Sequence, residues 1–265
     1  MKRPVLYIII AVLLVGGVIA LQVVRKNSTI RGLEVRIDTG GPHTLLSPKE
    51  VEKMVVASWP DLYSRNVKNI DKKELRDIIM ESPYVKNADV SVSNGRKVAV
   101  VIKQRQPVVR MFCGGKEFYI SHEGTYMPLT QQHYCHLLIG SSTRDLPWGS
   151  YDPHQLTLAE PWPDTVATNT AVEGVRQVWT LAKYLYDNPQ YGDVFDQASL
   201  NDEGDLVLVP KLGNITIVVG DTSRLDEKFK DLWAFFEQGI GQVGWDAYSL
   251  ISLKYKGQVV GRRRK

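Results

Sequence analysis

The run Ser82-Pro83-Tyr84-Val85-Lys86-Asn87-Ala88-Asp89-Val90-Ser91-Val92-Ser93-Asn94-Gly95-Arg96-Lys97-Val98-Ala99-Val100-Val101-Ile102 contains a whole β-hairpin. Val90 and Val92 alternate with polar residues, Asn94-Gly95 supplies a tight turn of the primed type, and Val98, Val100 and Ile102 return. Ser82-Pro83 stops whatever precedes the hairpin, because proline cannot continue a helix. What it stops is readable upstream. Asp71-Lys72-Lys73-Glu74 has the form of a capping box, and Leu75, Ile78 and Ile79 follow at helical spacing. Ser47-Pro48-Lys49-Glu50 is another box, with proline at the first helical position; Val51, Met54 and Val55 are its buried stripe. Before both, Ile30, Leu33, Val35 and Ile37 suggest a strand, closed by Asp38-Thr39-Gly40-Gly41-Pro42. Residues 27–105 therefore read β-α-α-β-β.

Downstream the pattern changes. Phe118–Ile120 and His136–Ile139 read as strands. Residues 141–165 are rich in Pro, Trp, Asp and Ser and have no periodicity, which suggests a long surface loop. Thr170-Ala171-Val172-Glu173 opens a helix with Val172, Val175, Trp179, Ala182 and Tyr186 on one face, and Asn188-Pro189 ends it. Leu206–Val209 and Ile215–Val219 form a hairpin around Lys211-Leu212-Gly213-Asn214. Ser223-Arg224-Leu225-Asp226 opens a second helix with Leu225, Phe229, Leu232 and Phe236 inward and Gly239 as its end. Tyr248–Tyr255 alternates, with Ile251, Leu253 and Tyr255 on one face. Lys256-Gly257 permits a turn, and Gln258-Val259-Val260 gives a short final strand. Residues 106–261 thus read as a larger mixed or antiparallel β domain with two or more helices. The fold class expected for the body is α+β.

Upstream, Val5–Val24 is apolar apart from Gln22 and would span about 30 Å as a helix, the thickness of bilayer hydrocarbon. Val18-Ile19-Ala20 and Gly16-Gly17 also suit a cleavable signal peptide. The apolar run exceeds the usual core of about 7–15 residues, which favours an uncleaved anchor. Lys2, Arg3, Arg25 and Lys26 flank both ends, so charge does not set the orientation; the short tail ahead of a long body favours a cytoplasmic N-terminus. Residues 1–26 are then a cytoplasmic tip and anchor, and the rest is exported. The net charge of +4 on 265 residues hides an acidic body. Setting aside those four cations and Arg262, Arg263, Arg264 and Lys265 leaves 25 basic against 29 acidic residues. A nucleic-acid partner is not supported, despite a pI near 8.9. Residues 262–265 read as a basic tail, either solvated or touching anionic lipid head groups.

Chemistry is sparsely signalled. Gly239-Ile240-Gly241-Gln242-Val243-Gly244 matches GxGxxG, but it follows a helix and no βαβ unit comes after it. His133, Cys135, His136 and Cys113 would all be needed for zinc, and strand alternation sends Cys135 and His136 to opposite faces. Cys113 and Cys135 suit either a disulfide, which an exported compartment permits, or two buried thiols. No Ser-His-Asp order, nucleophile elbow, SxxK or HExxH occurs. No catalytic, cofactor-binding or metal-ligating residue is assigned, and no cofactor.

Several phrases resemble a known family. The β-α-α-β-β order is similar to the POTRA domain, a polypeptide-transport-associated module. Glu81–Val90, Gln104-Arg105-Gln106-Pro107-Val108-Val109 and Phe118-Tyr119-Ile120-Ser121-His122-Glu123-Gly124 resemble, in order and spacing, elements of the bacterial cell-division proteins FtsQ and DivIB. Gln104 stands where that family has glutamate, and Ser121 where it has aspartate. Leu253–Gly261 resembles the family's terminal strands. The resemblance implies a single-pass inner-membrane protein at the division septum with no catalytic activity. It would act as a scaffold whose C-terminal edge accepts a strand from FtsB/DivIC-like and FtsL-like coiled-coil partners. Carried over by motif, Tyr255, Gly257, Val259 and Val260 would lie at that edge. Two other classes remain open on the residues alone: a membrane-anchored peptidoglycan hydrolase, and a POTRA-bearing export component.

Overall fold

The structure is a computed structural model that describes residues 12–19, 22, 28–93, 95–129, 134–142, 157–158, 170–240 and 243–264. His133, Lys265 and most of the 141–165 loop lie outside the described residues. So does most of Val5–Val24, whose residues 12–19 are helical. Among the described residues no helix is long and apolar enough to cross a membrane. The fold is α+β, and the chain divides into two compact units, Met1–Gln104 and Arg105–Lys265.

In the first unit, β1 (Gly32–Asp38) is followed by helices α1 (Pro48–Ser58) and α2 (Lys72–Met80), then by β2 (Val85–Val92) and β3 (Lys97–Gln104). β3 is central, parallel to β1 and antiparallel to β2. Val51, Val55, Leu75, Ile79, Val98, Val100 and Ile102 are fully buried between helices and sheet. The Ser47 box forms in both directions: Glu50 N–H donates to Ser47 Oγ at 3.3 Å, and Ser47 N–H to Glu50 Oε2 at 2.6 Å. Asp71 caps α2 by accepting from the N–H groups of Lys73 and Glu74 at 2.9 and 3.1 Å.

The hairpin turn differs from the two-residue turn expected at Asn94-Gly95. It closes between Ser93 and Lys97, with Arg96 at φ 60°. The register explains this. Val90 pairs with Val100 and Val92 with Val98. A two-residue turn at Asn94-Gly95 would oppose Val92 to Lys97 and flip every returning valine to the wrong face.

The second unit is built on a nine-stranded sheet. Its strands in chain order are β4 (Pro107–Cys113), β5 (Lys116–Ser121), β6 (Tyr126–Pro128), β7 (Leu138–Ser142), β8 (Phe195–Leu200), β9 (Leu206–Pro210), β10 (Thr216–Gly220), β11 (Tyr248–Ser252) and β12 (Val260–Arg263). Across the sheet they run β12-β11-β10-β9-β8-β7-β4-β5-β6. Helix α3 (Thr170–Asp187) and the short α4 (Pro189–Gly192) connect the parallel pair β7 and β8. Helix α5 (Leu225–Phe235) connects the parallel pair β10 and β11. α3 buries Val172, Val175, Val178, Trp179, Leu181, Ala182 and Leu185 against the same core that receives Leu225, Phe229 and Leu232 of α5. One face of the sheet is thus covered by helices. Gly239 does not end α5 as its position suggested: the chain continues through a π-helical turn, Phe236–Ile240, that contains it.

Candidate functional site

The two ends of the large sheet are unlike. β6 is three residues long, ends in a proline and is followed in space by a Thr125–Thr157 bridge. Short length and proline are ordinary ways of closing an edge to further pairing. β12 has neither. All four of its residues are exposed, and among the described residues nothing pairs with it beyond β11.

β11 is held in place from the β10 side. Thr216, Ile217 and Val218 pair with Leu250, Ile251 and Ser252, and Leu253 N–H donates to Val218 O at 2.8 Å. Ile251 and Leu253 are buried. The strand ends at Ser252, three residues short of the alternation read from the sequence, because Lys254 turns away. Its ammonium lies 2.6 Å from Asp205 Oδ2, and that hydrogen bond raises the lysine's pKa. Tyr255 consequently lies in a turn, 60% exposed, and accepts from Gln258 N–H at 3.2 Å. Gly257 has φ +65° with open space where a Cβ would stand, a left-handed conformation that glycine adopts without strain. Val259 packs against the core, and Val260, which opens β12, is 46% exposed. Of the four residues expected at the edge, Val260 is in the edge strand and Tyr255, Gly257 and Val259 form the approach to it.

The final strand runs past the expected Gln258–Val260 into Arg262 and Arg263. β12 pairs antiparallel with β11: Val260 opposite Ser252, Gly261 opposite Ile251, Arg262 opposite Leu250 and Arg263 opposite Tyr248. Three contacts hold its far end. Ser249 Oγ donates to Arg262 O at 3.3 Å, Arg264 N–H donates to Ala247 O at 3.0 Å, and the Arg264 guanidinium donates to Asn214 O. Gly261 is required here by space: an added Cβ would stand 2.7 Å from Tyr248 Cε1. The Tyr248 ring instead lies over the glycine and meets Phe235 edge to face at 5.3 Å. The strand pattern stopped at Val260 and the family resemblance at Gly261; Arg262 and Arg263 were missed, because Val-Gly-Arg-Arg carries no apolar alternation. Only main-chain pairing makes it a strand.

The alternation of a paired strand fixes its free groups. Arg264 N–H and Arg262 C=O face β11, so the N–H and C=O of Gly261 and Arg263 point outward. These are the groups that an added strand pairs with.

Elsewhere the chemistry is structural. Cys113 and Cys135 are both buried as thiols. Burial pushes the Cys135 thiol up to about 11, so it is protonated and unreactive at neutral pH. Cys135 N–H donates to the Tyr119 hydroxyl at 3.3 Å, and His136 beside it is exposed. Among the described residues no group of three or more His, Cys, Asp or Glu side chains could hold a metal ion. Ser121, in place of the family's aspartate, is fully buried. Its hydroxyl accepts from Thr125 N–H at 3.1 Å and its carbonyl from Trp179 Nε1–H at 2.9 Å, so it still closes the β5–β6 turn.

A family model described as FtsQ/DivIB, C-terminal related, matches residues 106–262. The matched span runs from the start of the large sheet into β12. No curated protein matches the chain.

Proposed function

Because the chain belongs to the FtsQ/DivIB family of non-enzymatic cell-division proteins, we propose that it is a divisome scaffold that binds its partner by β-strand addition to β12. One observation carries this reading: the outermost strand of a nine-stranded sheet is exposed along its whole length, with outward main-chain groups at Gly261 and Arg263. Main-chain hydrogen bonds then supply affinity, and flanking side chains, Tyr255 and Val260 foremost, supply selectivity. The expected partners are FtsB/DivIC-like and FtsL-like coiled-coil proteins. Val5–Val24 anchors the chain in the cytoplasmic membrane with its N-terminus inside and both units outside, at the septum. The first unit acts as the POTRA domain and contributes to recruitment.

The test is co-purification of partners with tagged full-length protein from dividing cells. Tyr255→Ala and Val260→Glu each leave the circular dichroism spectrum unchanged and abolish capture of the coiled-coil partners. Arg263→Pro, which removes one outward N–H from an edge position that tolerates proline, does the same. Undiminished capture by all three variants contradicts the assignment of β12.

A further inference from the structure

The edge is not chemically neutral. Arg262 and Arg263 occupy successive positions, so their side chains leave the strand on opposite faces. Both are exposed, and among the described residues neither guanidinium has an acidic partner. Three other cations are differently placed. Lys254 is paired with Asp205 at 2.6 Å, Lys228 with Asp221 at 2.6 Å, and Arg264 donates to a carbonyl. Arg262 and Arg263 stand beside the outward main-chain groups. They are not part of a loose tail, because Ser249, Ala247 and Asn214 hold the segment through Arg264.

We propose that β12 is a charge-selective edge: it accepts an extended segment with two successive acidic residues beside Arg262 and Arg263 and an apolar residue beside Val260, and it rejects a second copy of itself. This rests on the strand-addition reading and names the chemistry of the partner. Opposite charges across a strand pair stabilise it, and like charges oppose it. When two copies of β12 overlap fully, their arginines lie opposite or diagonal to one another, which disfavours edge-to-edge self-association. One charged end and one apolar end also distinguish the two directions in which a segment could lie, so the same residues fix its register.

The experiment uses detergent-solubilised full-length protein and two synthetic strand peptides of alternating Thr and Val, one with a central Glu-Glu pair and one with Lys-Lys. The Glu-Glu peptide binds roughly tenfold tighter, from two cross-strand pairs, and the gap narrows as salt rises. Arg262→Glu/Arg263→Glu reverses the preference. Arg262→Gln/Arg263→Gln abolishes it and raises self-association in sedimentation. Equal binding of both peptides to the wild-type protein overturns charge selectivity and leaves strand addition standing. Absence of binding by either peptide overturns both. A Glu-Glu preference that survives charge reversal places the acid-binding groups elsewhere and overturns the proposal. So does wild-type dimerisation through β12.

Discussion

Gln104 shows how one atom type decides a local structure. It is buried, and its side-chain oxygen accepts from Leu45 N–H at 2.7 Å and Leu46 N–H at 3.2 Å, while its amide nitrogen donates to His43 O at 2.9 Å. A glutamate, usual in the family at this position, keeps the two acceptor roles but turns a carboxylate oxygen toward the His43 carbonyl. Gln104→Glu is expected to cost about 1–3 kcal/mol at neutral pH. The loss shrinks as pH falls, because the protonated acid can donate again; denaturant titrations at two pH values measure both. Gly261 makes a second point at this scale. Gly261→Val forces a β-branched side chain into the Tyr248 ring, and the cost falls on β12 pairing, about 1–3 kcal/mol. The expected result is loss of partner capture with the rest of the large unit still folded, checked by near-ultraviolet circular dichroism alongside co-purification.

At the level of elements, helix α5 begins without a side-chain cap, since Arg224 at its N-terminus has φ 53°. The start is held from inside. Lys228, almost fully buried, places its ammonium 2.8 Å from Asp221 O and 2.6 Å from Asp221 Oδ1. The hydrogen bond from Lys228, and then that from Ser223, draws the Asp221 carboxyl down to about 2. A depressed carboxyl contributes stability above its unfolded value of about 4 and loses it as pH falls through the folded value. The melting temperature of the large unit should therefore drop between about pH 4 and pH 2. Asp221→Asn should flatten that window while lowering stability at neutral pH, because it leaves a buried ammonium without its counter-charge. The helices themselves were legible: the Ser47 box and the stripes of α3 and α5 follow from spacing alone. What spacing could not supply was register and pairing. The β2–β3 turn is set by which valines must be buried, and β12 is a strand only because β11 lies beside it.

Across the whole molecule, the family's terminal motif pointed to the region of the chain that holds β12 and the turn leading into it. Tyr255 is conspicuous in sequence yet sits in the approach turn. Val260, Gly261, Arg262 and Arg263 form the edge, and of these Arg262 and Arg263 read as tail. The general cause is that an interaction edge consists of main-chain groups, which every residue type except proline provides equally. Side-chain patterns report cores; they do not report which end of a sheet is left open. Membrane attachment is testable at this scale too. After an alkaline carbonate wash the full chain should stay with the membrane fraction at full length; a shortened, released product would instead show cleavage after Ala20. The central claim is tested most directly by hydrogen exchange at single amides in the protein alone and in its co-purified complex. Gly261 and Arg263 should exchange freely in the first and become protected in the second. If both amides exchange as fast in the complex as without it, no strand has been added at β12, and the account is wrong.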